Sequence, residues 1–252
     1  MFSFLNNIPQ VTKNLLLLNV MLYIVSLFLA SNGLDLGQYL GAHYFNSALF
    51  QPYQIITHMF MHSLTDFFHI LFNMLLLVMF GAHLERLWGP KRFFIFYFAS
   101  GLGAFLLYNS IGVWELMELK KSLISMGYDL DVLDHKITNN YLEDIEVKMP
   151  YHREALQQYY NLTVSNMVGA SGALFGVLAG FGVLFPNTQL MLLFPPIPIK
   201  AKYLIGAYLF FEIYSSISGP QDNIAHLAHV GGALVGIALV LYWRKTDRQN
   251  FY

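Results

Sequence analysis

The chain has 252 residues, 56% of them hydrophobic and 12% charged, with 14 Lys+Arg against 15 Asp+Glu for a formal net charge of -1. Soluble domains carry roughly 25% charged residues, so at a mean hydropathy of +0.48 much of this surface is expected to face lipid. The balanced charge removes the electrostatic case for nucleic-acid binding, and the lack of cysteine excludes disulfides, thiolate metal ligands and a cysteine nucleophile.

About 20 consecutive apolar residues cross a bilayer as a helix. Six runs approach that length: 15–30, 67–84, 93–113, 167–185, 203–216 and 224–243. The first reads as a span rather than a cleavable signal peptide, because no small-residue cleavage site follows it and the chain keeps returning to the membrane. The expected fold is an all-α membrane protein, a single domain over 1–252, with six transmembrane helices and a long outer insertion, 114–162, between the third and fourth. The lipid bilayer is its expected surroundings.

Six spans leave both termini on one side, and Lys/Arg placement says which. With the termini inside, Lys13, Arg86, Lys91, Arg92, Lys200, Lys202, Arg244, Lys245 and Arg248 all lie inside, nine of the 14. The other five fall in 114–162, a segment too long for the rule to apply strongly. The outer segments 31–66 and 218–223 hold no Lys or Arg. Both termini are therefore expected in the cytoplasm.

The 114–162 segment carries nine of the 15 acidic residues. Leu116, Leu119, Leu123 and Met126 recur at helical spacing there, and a second short helix is expected from Pro150 through Tyr160. Its role is left open between a cap on the bundle, a surface-lying segment, a partner guide and a plain solvated loop.

Polar groups inside spans are costly, so each is a functional hypothesis. Ser171 sits in Gly169-Ala170-Ser171-Gly172, near the start of its helix, where free N–H groups favour developing negative charge. Gly172, Gly176 and Gly180 recur every fourth residue, and His229, Gly232 and Gly236 share one face of the last span. Two glycine faces allow close backbone packing, which would bring His229 to Ser171. A serine beside an imidazole is a minimal activated nucleophile; packing glycines around a buried histidine is the alternative. His69 and Asn73, four apart on one helix face, can donate to an oxyanion or simply bond between helices. His58 and His62 lack a metal-binding motif or a carboxylate at ligand spacing, so they read as structural. Glu212 is the only acidic residue well inside its run, facing the site, a watery space or a neighbouring helix. Glu85, in Gly81-x3-Glu85-x3-Gly89, is expected to anchor the inner turn by hydrogen bonding and charge pairing with Arg86 or Arg92.

Taken together, GASG at 169–172, AHVGGALVG at 228–236, HILFN at 69–73, THMFMH at 57–62 and G-x3-E-x3-G at 81–89 resemble the rhomboid intramembrane serine proteases, over roughly 10–113 and 163–245. The resemblance implies a six-helix rhomboid-like bundle, with Ser171 as nucleophile, His229 as general base, and His69 and Asn73 in the oxyanion hole with the Ser171 N–H. It implies a Ser–His dyad with no third acidic residue, no cofactor and no metal, and transmembrane proteins as substrates, in a bacterial inner membrane. An inactive client-binding relative is the alternative; such proteins lose the Ser or His, and this chain keeps both. Phe175 stands where some members pack a Tyr on the imidazole. Tyr53-Gln54 stands where some carry Trp-Arg in the first outer loop, leaving that loop's anchoring open.

Overall fold

The computed structural model describes residues 3–192, 195–218 and 223–247; Arg248 and most of the 218–223 segment lie outside them. Each of the six apolar runs holds a helix over most of its length. We label α1 Gln10–Ala30, α2 Phe67–Trp88, α3 Pro90–Ser125, α4 Leu130–Thr138, α5 Arg153–Val164, α6 Ser171–Leu184, α7 Ala201–Ser218 and α8 Asn223–Thr246. Among the described residues, four helices are long and apolar enough to cross a membrane by themselves: α1, α2, α3 and α8 from His226 onward.

α6 has only 14 residues, and eleven of them are buried. At 1.5 Å per residue it is about 21 Å long, short of a hydrocarbon core. Its start lies four residues later than the sequence run suggests, because 165–170 is not helical. Met167 instead pairs with Ala42 through a two-bond antiparallel bridge, and Gly169 has φ +125°, which a helix does not accept. The described residues are mostly helical, with one short hairpin. Gln189–Met191 pairs antiparallel with Pro198–Lys200 between α6 and α7, where Pro195, Pro196 and Pro198 deny the chain a helix and favour extension. α2 contains a π turn at Leu77–Gly81.

α8 packs against α3 and α6, with α7 on its other flank. The α6–α8 contact is backbone on backbone. A Cβ on Gly232 would run into the Gly172 carbonyl oxygen, and one on Gly236 would lie 2.5 Å from the Gly176 oxygen. The two glycine faces therefore meet as their spacing requires. Large apolar side chains remain exposed on the outward faces, including Met21, Ile24 and Phe28 of α1, Phe67 and Phe68 of α2, and Phe210, Phe211 and Ile217 of α7. Such a surface suits lipid.

α3 runs on without a break past 113 to Ser125, so the third helix and the first part of the 114–162 segment are one rod. Leu116 and Leu123 are fully buried in a cluster with Tyr128, Leu133, Ile137, Leu156 and Tyr159, and this cluster includes Tyr44 and Tyr108. The segment is thus a folded helical layer with its own apolar interior. Lys120 donates to the Asn46 carbonyl at 2.7 Å and Ser47 to the Thr163 carbonyl at 2.8 Å, tying this layer to the 31–66 loop.

That loop is organised by Gln54, which is 1% exposed. Its Oε1 accepts from the His43 and Gln51 N–H groups, and its Nε2 donates to the Tyr39 and Leu49 carbonyls. The neutral amide supplies two acceptor and two donor contacts, while Tyr53 stays exposed. Glu85 anchors the other end, though not by charge pairing as expected. Its Oε1 accepts from Val11 N–H at 2.8 Å, and its Oε2 accepts from Thr12 N–H and Oγ1 at 2.7 and 2.8 Å. A carboxylate on the first-turn amides of α1 satisfies orphan donors and complements the helix dipole. Arg86 donates instead to the Asn7 carbonyl at 2.7 Å, and Arg92 pairs with Asp247.

Glu85→Ala should strand the amides of Val11 and Thr12. We expect a loss of about 1–3 kcal/mol, read as a lower melting temperature in detergent; an unchanged melt would deny the anchor. A second expectation concerns acid. Burial lowers the His58 pKa to about 4, against the opposing hydrogen bond that its ring donates to the Gln54 carbonyl. Burial, then repulsion from His69, lowers that of His62 to about 4. Unfolded, each ring takes its proton near pH 6.5, so the unfolded state binds more protons between pH 6.5 and 4. Stability is therefore full above pH 6.5 and falls as pH drops towards 4, by up to about 3 kcal/mol per ring. The melting temperature should fall over that window, and less steeply in His62→Leu; equal slopes in the two proteins would remove His62 from the account.

Candidate active site

α6 opens on Ser171, with Ala170 before it at the cap. Leu174 N–H bonds back to the Ala170 carbonyl at 3.0 Å, so the amides of Ser171, Gly172 and Ala173 precede the helix's own ladder and remain available to an anion. Gly169 sets the chain's approach: its N–H bonds the His58 carbonyl at 2.9 Å, and a Cβ there would lie 2.9 Å from His69 Nε2. The positive φ and this close approach both call for glycine.

Because the α6 and α8 backbones touch, the side chains one turn outward also meet. His229 Nε2 lies 2.9 Å from Ser171 Oγ, a full hydrogen bond. Phe175, one turn along α6, stacks on the His229 ring at 4.1 Å between centroids and 11° between planes. Tyr208 of α7 contacts the Phe175 ring at 5.0 Å. The imidazole is thus held flat against an aromatic face.

Two cavities meet at this pair. One, of about 320 Å³, is bordered by His58, Ser63, His69, Ser165 and Asn166 as well as Ser171 and His229. The other, of about 330 Å³, lies between α2, α6 and α7, with Phe68, Phe72, Leu76, Phe175 and Tyr208 giving it an apolar wall. His69 borders both, and Asn73 borders the second. Ser63 N–H donates to His69 Nδ1 at a long 3.4 Å. Acceptance at Nδ1 puts the proton of the neutral ring on Nε2, the nitrogen beside Gly169. The Asn73 side-chain nitrogen is buried and has no hydrogen-bond partner among the described residues. A buried amide donor left open is costly, and here it borders the cavity that holds Ser171.

All four residues expected from the sequence therefore gather around one space. The partner on the far side of the imidazole is Glu212, which the sequence leaves open between the site, a watery space and a neighbouring helix. Glu212 of α7 is buried, and its Oε2 lies 2.9 Å from His229 Nδ1 and 2.6 Å from His226 Nδ1. The available signal was a lone acidic residue inside an apolar run, together with His226 three residues before His229. These three side chains also bring possible metal ligands close together. Ligands about 2.0–2.2 Å from a tetrahedral ion stand roughly 3.3 Å apart, whereas 2.6 and 2.9 Å are hydrogen-bond separations.

The Rhomboid domain profile matches this chain in two blocks, residues 49–116 and 152–246, leaving 117–151 unmatched between them. The chain is 28% identical over 191 residues to Rhomboid protein 1, mitochondrial, of Saccharomyces cerevisiae, covering 76% of this chain and 42% of that protein. It is 25% identical over 193 residues to Rhomboid protease AarA of Providencia stuartii, covering 72% and 54%. This chain thus matches about half of each relative's length. With the profile spanning well over half of the residues and the apolar helices described above, the chain belongs to the rhomboid family and is an integral membrane protein.

Proposed function

We propose that this chain is an intramembrane serine endopeptidase, hydrolysing peptide bonds in or next to transmembrane segments of membrane proteins with Ser171 and His229 as its dyad. The observation that carries the reading is the 2.9 Å hydrogen bond between His229 Nε2 and Ser171 Oγ, made between two helices whose glycines permit nothing bulkier. A polar pair of this kind is expensive to bury in a membrane protein.

The chemistry follows from the geometry. Ser171 Oγ attacks the peptide carbonyl while its proton passes to His229 Nε2, forming a C–O bond and an oxyanion. His69 Nε2–H, the open Asn73 Nδ2–H and the Ser171 N–H are the donors for that charge. The tetrahedral adduct collapses, the C–N bond breaks, and the imidazolium gives its proton to the leaving amine. A water activated by His229 then cleaves the acyl-enzyme. Ser63, Ser165 and Asn166 give the first cavity a polar route for that water, and the apolar wall of the second suits a substrate's membrane segment. The reaction needs no cofactor or metal, because nucleophile, base and oxyanion donors are all side-chain or backbone groups of this chain.

We further propose that all six apolar helices span the bilayer, with both termini cytoplasmic in a bacterial inner membrane and 114–162 as an outer insertion. The positive-inside distribution supports the orientation. The break in the profile match, at 117–151, supports the insertion. On this topology the extended 165–170 segment enters from the outer side, and Ser171 lies below the membrane surface at the foot of a water-accessible cavity.

Two measurements test the reading. Wild type should cleave a transmembrane reporter substrate and be labelled by a fluorophosphonate in detergent, while Ser171→Ala and His229→Ala lose cleavage and Ser171→Ala loses labelling. Substantial cleavage by Ser171→Ala would refute the mechanism. Asn73→Ala should lower kcat by about tenfold to a thousandfold with a smaller change in KM; an effect on KM alone would remove Asn73 from the oxyanion hole.

A further inference from the structure

The dyad leaves one costly group unexplained. Glu212 is the single acidic residue of α7 and is buried. One oxygen, Oε2, meets two imidazole nitrogens, Nδ1 of His229 at 2.9 Å and Nδ1 of His226 at 2.6 Å. His229 uses its remaining nitrogen, Nε2, on Ser171. The four side chains form one line: His226, Glu212, His229, Ser171.

We propose that Glu212 is a positioning residue for the Ser171–His229 pair, holding the imidazole in the tautomer and orientation that the base requires. This inference rests on the serine-hydrolase reading above. As a carboxylate, Glu212 can only accept hydrogen bonds, so a neutral His229 bonded to it carries its hydrogen on Nδ1. Nε2 is then left with the lone pair that takes the Ser171 proton. When that proton arrives, the imidazolium faces a carboxylate across a charge-assisted hydrogen bond. When it leaves for the amine, Nδ1–H is still in place. The carboxylate gains and loses nothing.

Stacking on Phe175 cannot do this work by itself. A stacked ring still turns in its own plane and exchanges tautomers; only an acceptor at Nδ1 fixes both. His226 has a separate part. Glu side chains are flexible, and a second donor on the same oxygen holds the carboxylate in place. Three residues apart on α8, His226 and His229 lie on one face and present both rings to α7. Tyr208, one turn before Glu212 on α7, also contacts the Phe175 ring, at 5.0 Å between centroids. α7 therefore supports the imidazole twice, through its edge and through its stacking partner.

The test is the rate of fluorophosphonate labelling against pH on the purified full chain in detergent. Wild type, Ser171→Ala, Glu212→Gln, Glu212→Ala and Glu212→Asp are compared, each first shown to elute as wild type on size exclusion. Two charge-removing variants are included so that one failing to fold leaves the other. Glu212→Gln and Glu212→Ala should label at least about a hundredfold more slowly, a smaller loss than the roughly 10⁴-fold seen when a triad carboxylate is replaced elsewhere. The acidic midpoint of their profiles should also fall by about one pH unit, since the imidazolium has lost its neighbouring charge. The titratable groups around His229 are Glu212 and Tyr208 from α7, His226 from α8, and His69 and Asp66 at the start of α2, so the midpoint is read on the whole protein and assigned to no single residue. Glu212→Asp should recover at least tenfold over Glu212→Gln and restore the midpoint.

A purely structural role would slow labelling without moving the midpoint. A folded Glu212→Gln or Glu212→Ala within threefold of wild type, or slowed with an unmoved midpoint, overturns the proposal while leaving Ser171 as nucleophile. Wild type that fails to label, or labels no faster than Ser171→Ala, overturns the serine-hydrolase reading and this role with it.

Discussion

The contact between α6 and α8 is the constraint on which the rest depends. Two helices ordinarily pack with axes 8–10 Å apart because side chains stand between them. Here Gly172 meets Gly232 and Gly176 meets Gly236, backbone to backbone. Only at that separation do short Ser171 and mid-length His229 reach each other across the seam. The same closeness continues on the next face: Gly103 of α3 has Val235 against it, and Gly176 also has Ser100 against it. α6 is thus enclosed by α3 and α8 along its length, which fits its almost complete burial. Small residues replace bulk wherever backbones must approach, since lipid offers helices little hydrophobic incentive to associate.

With the helices this close, a buried polar group is costly unless it finds a partner within the protein. Glu85 does so on the first-turn amides of α1. Gln54 does so on four backbone groups of the 31–66 loop. Glu212 does so on two imidazoles. The three differ in what they hold. Glu85 and Gln54 bond to backbone and so fix chain path, whereas Glu212 bonds to side chains that can exchange protons. Asn73 differs from these three: its amide nitrogen is without a partner among the described residues, as are the hydroxyls of Tyr97 and Ser100.

Much of this was legible in the sequence, for a physical reason. Helical periodicity places Gly172, Gly176 and Gly180 on one face and His229, Gly232 and Gly236 on another, and close packing then follows from size alone. Ser171, His229, His69 and Asn73 are polar in apolar runs, which makes them conspicuous. The misses have other causes, and those at Glu212 and Glu85 depend on how one helix is placed against another. Glu212 was visible as a buried acid, but nothing local says that α7 turns it towards His229. The Glu85 carboxylate is expected from the sequence to pair with Arg86 or Arg92, both close in the chain, yet it reaches amides 73 and 74 residues distant. The start of α6 was misplaced because hydropathy does not register a backbone bridge from Met167 to Ala42. The continuity of α3 past residue 113 was hidden by a change in composition rather than in periodicity.

That continuity bears on how the site is held. α3 carries Gly103 and Ala104 beside α6 and α8 at one level, and Leu116 and Leu123 into the 114–162 layer further along. The layer's apolar cluster includes Tyr44 of the 31–66 loop, stacked on Tyr108 of α3 at 4.7 Å. Two residues before Tyr44, Ala42 bridges to Met167; one residue before it, His43 Nδ1 lies 2.9 Å from the Ser165 carbonyl. The 165–170 segment that delivers Ser171 is therefore fastened on the loop side by the layer and on the helix side by the α6–α8 seam. A segment with an open helix start and a left-handed glycine has little structure of its own to resist fraying. Fastening at both ends lets it stay irregular, and an irregular start is what leaves the first amides of α6 open towards the Ser171 side chain.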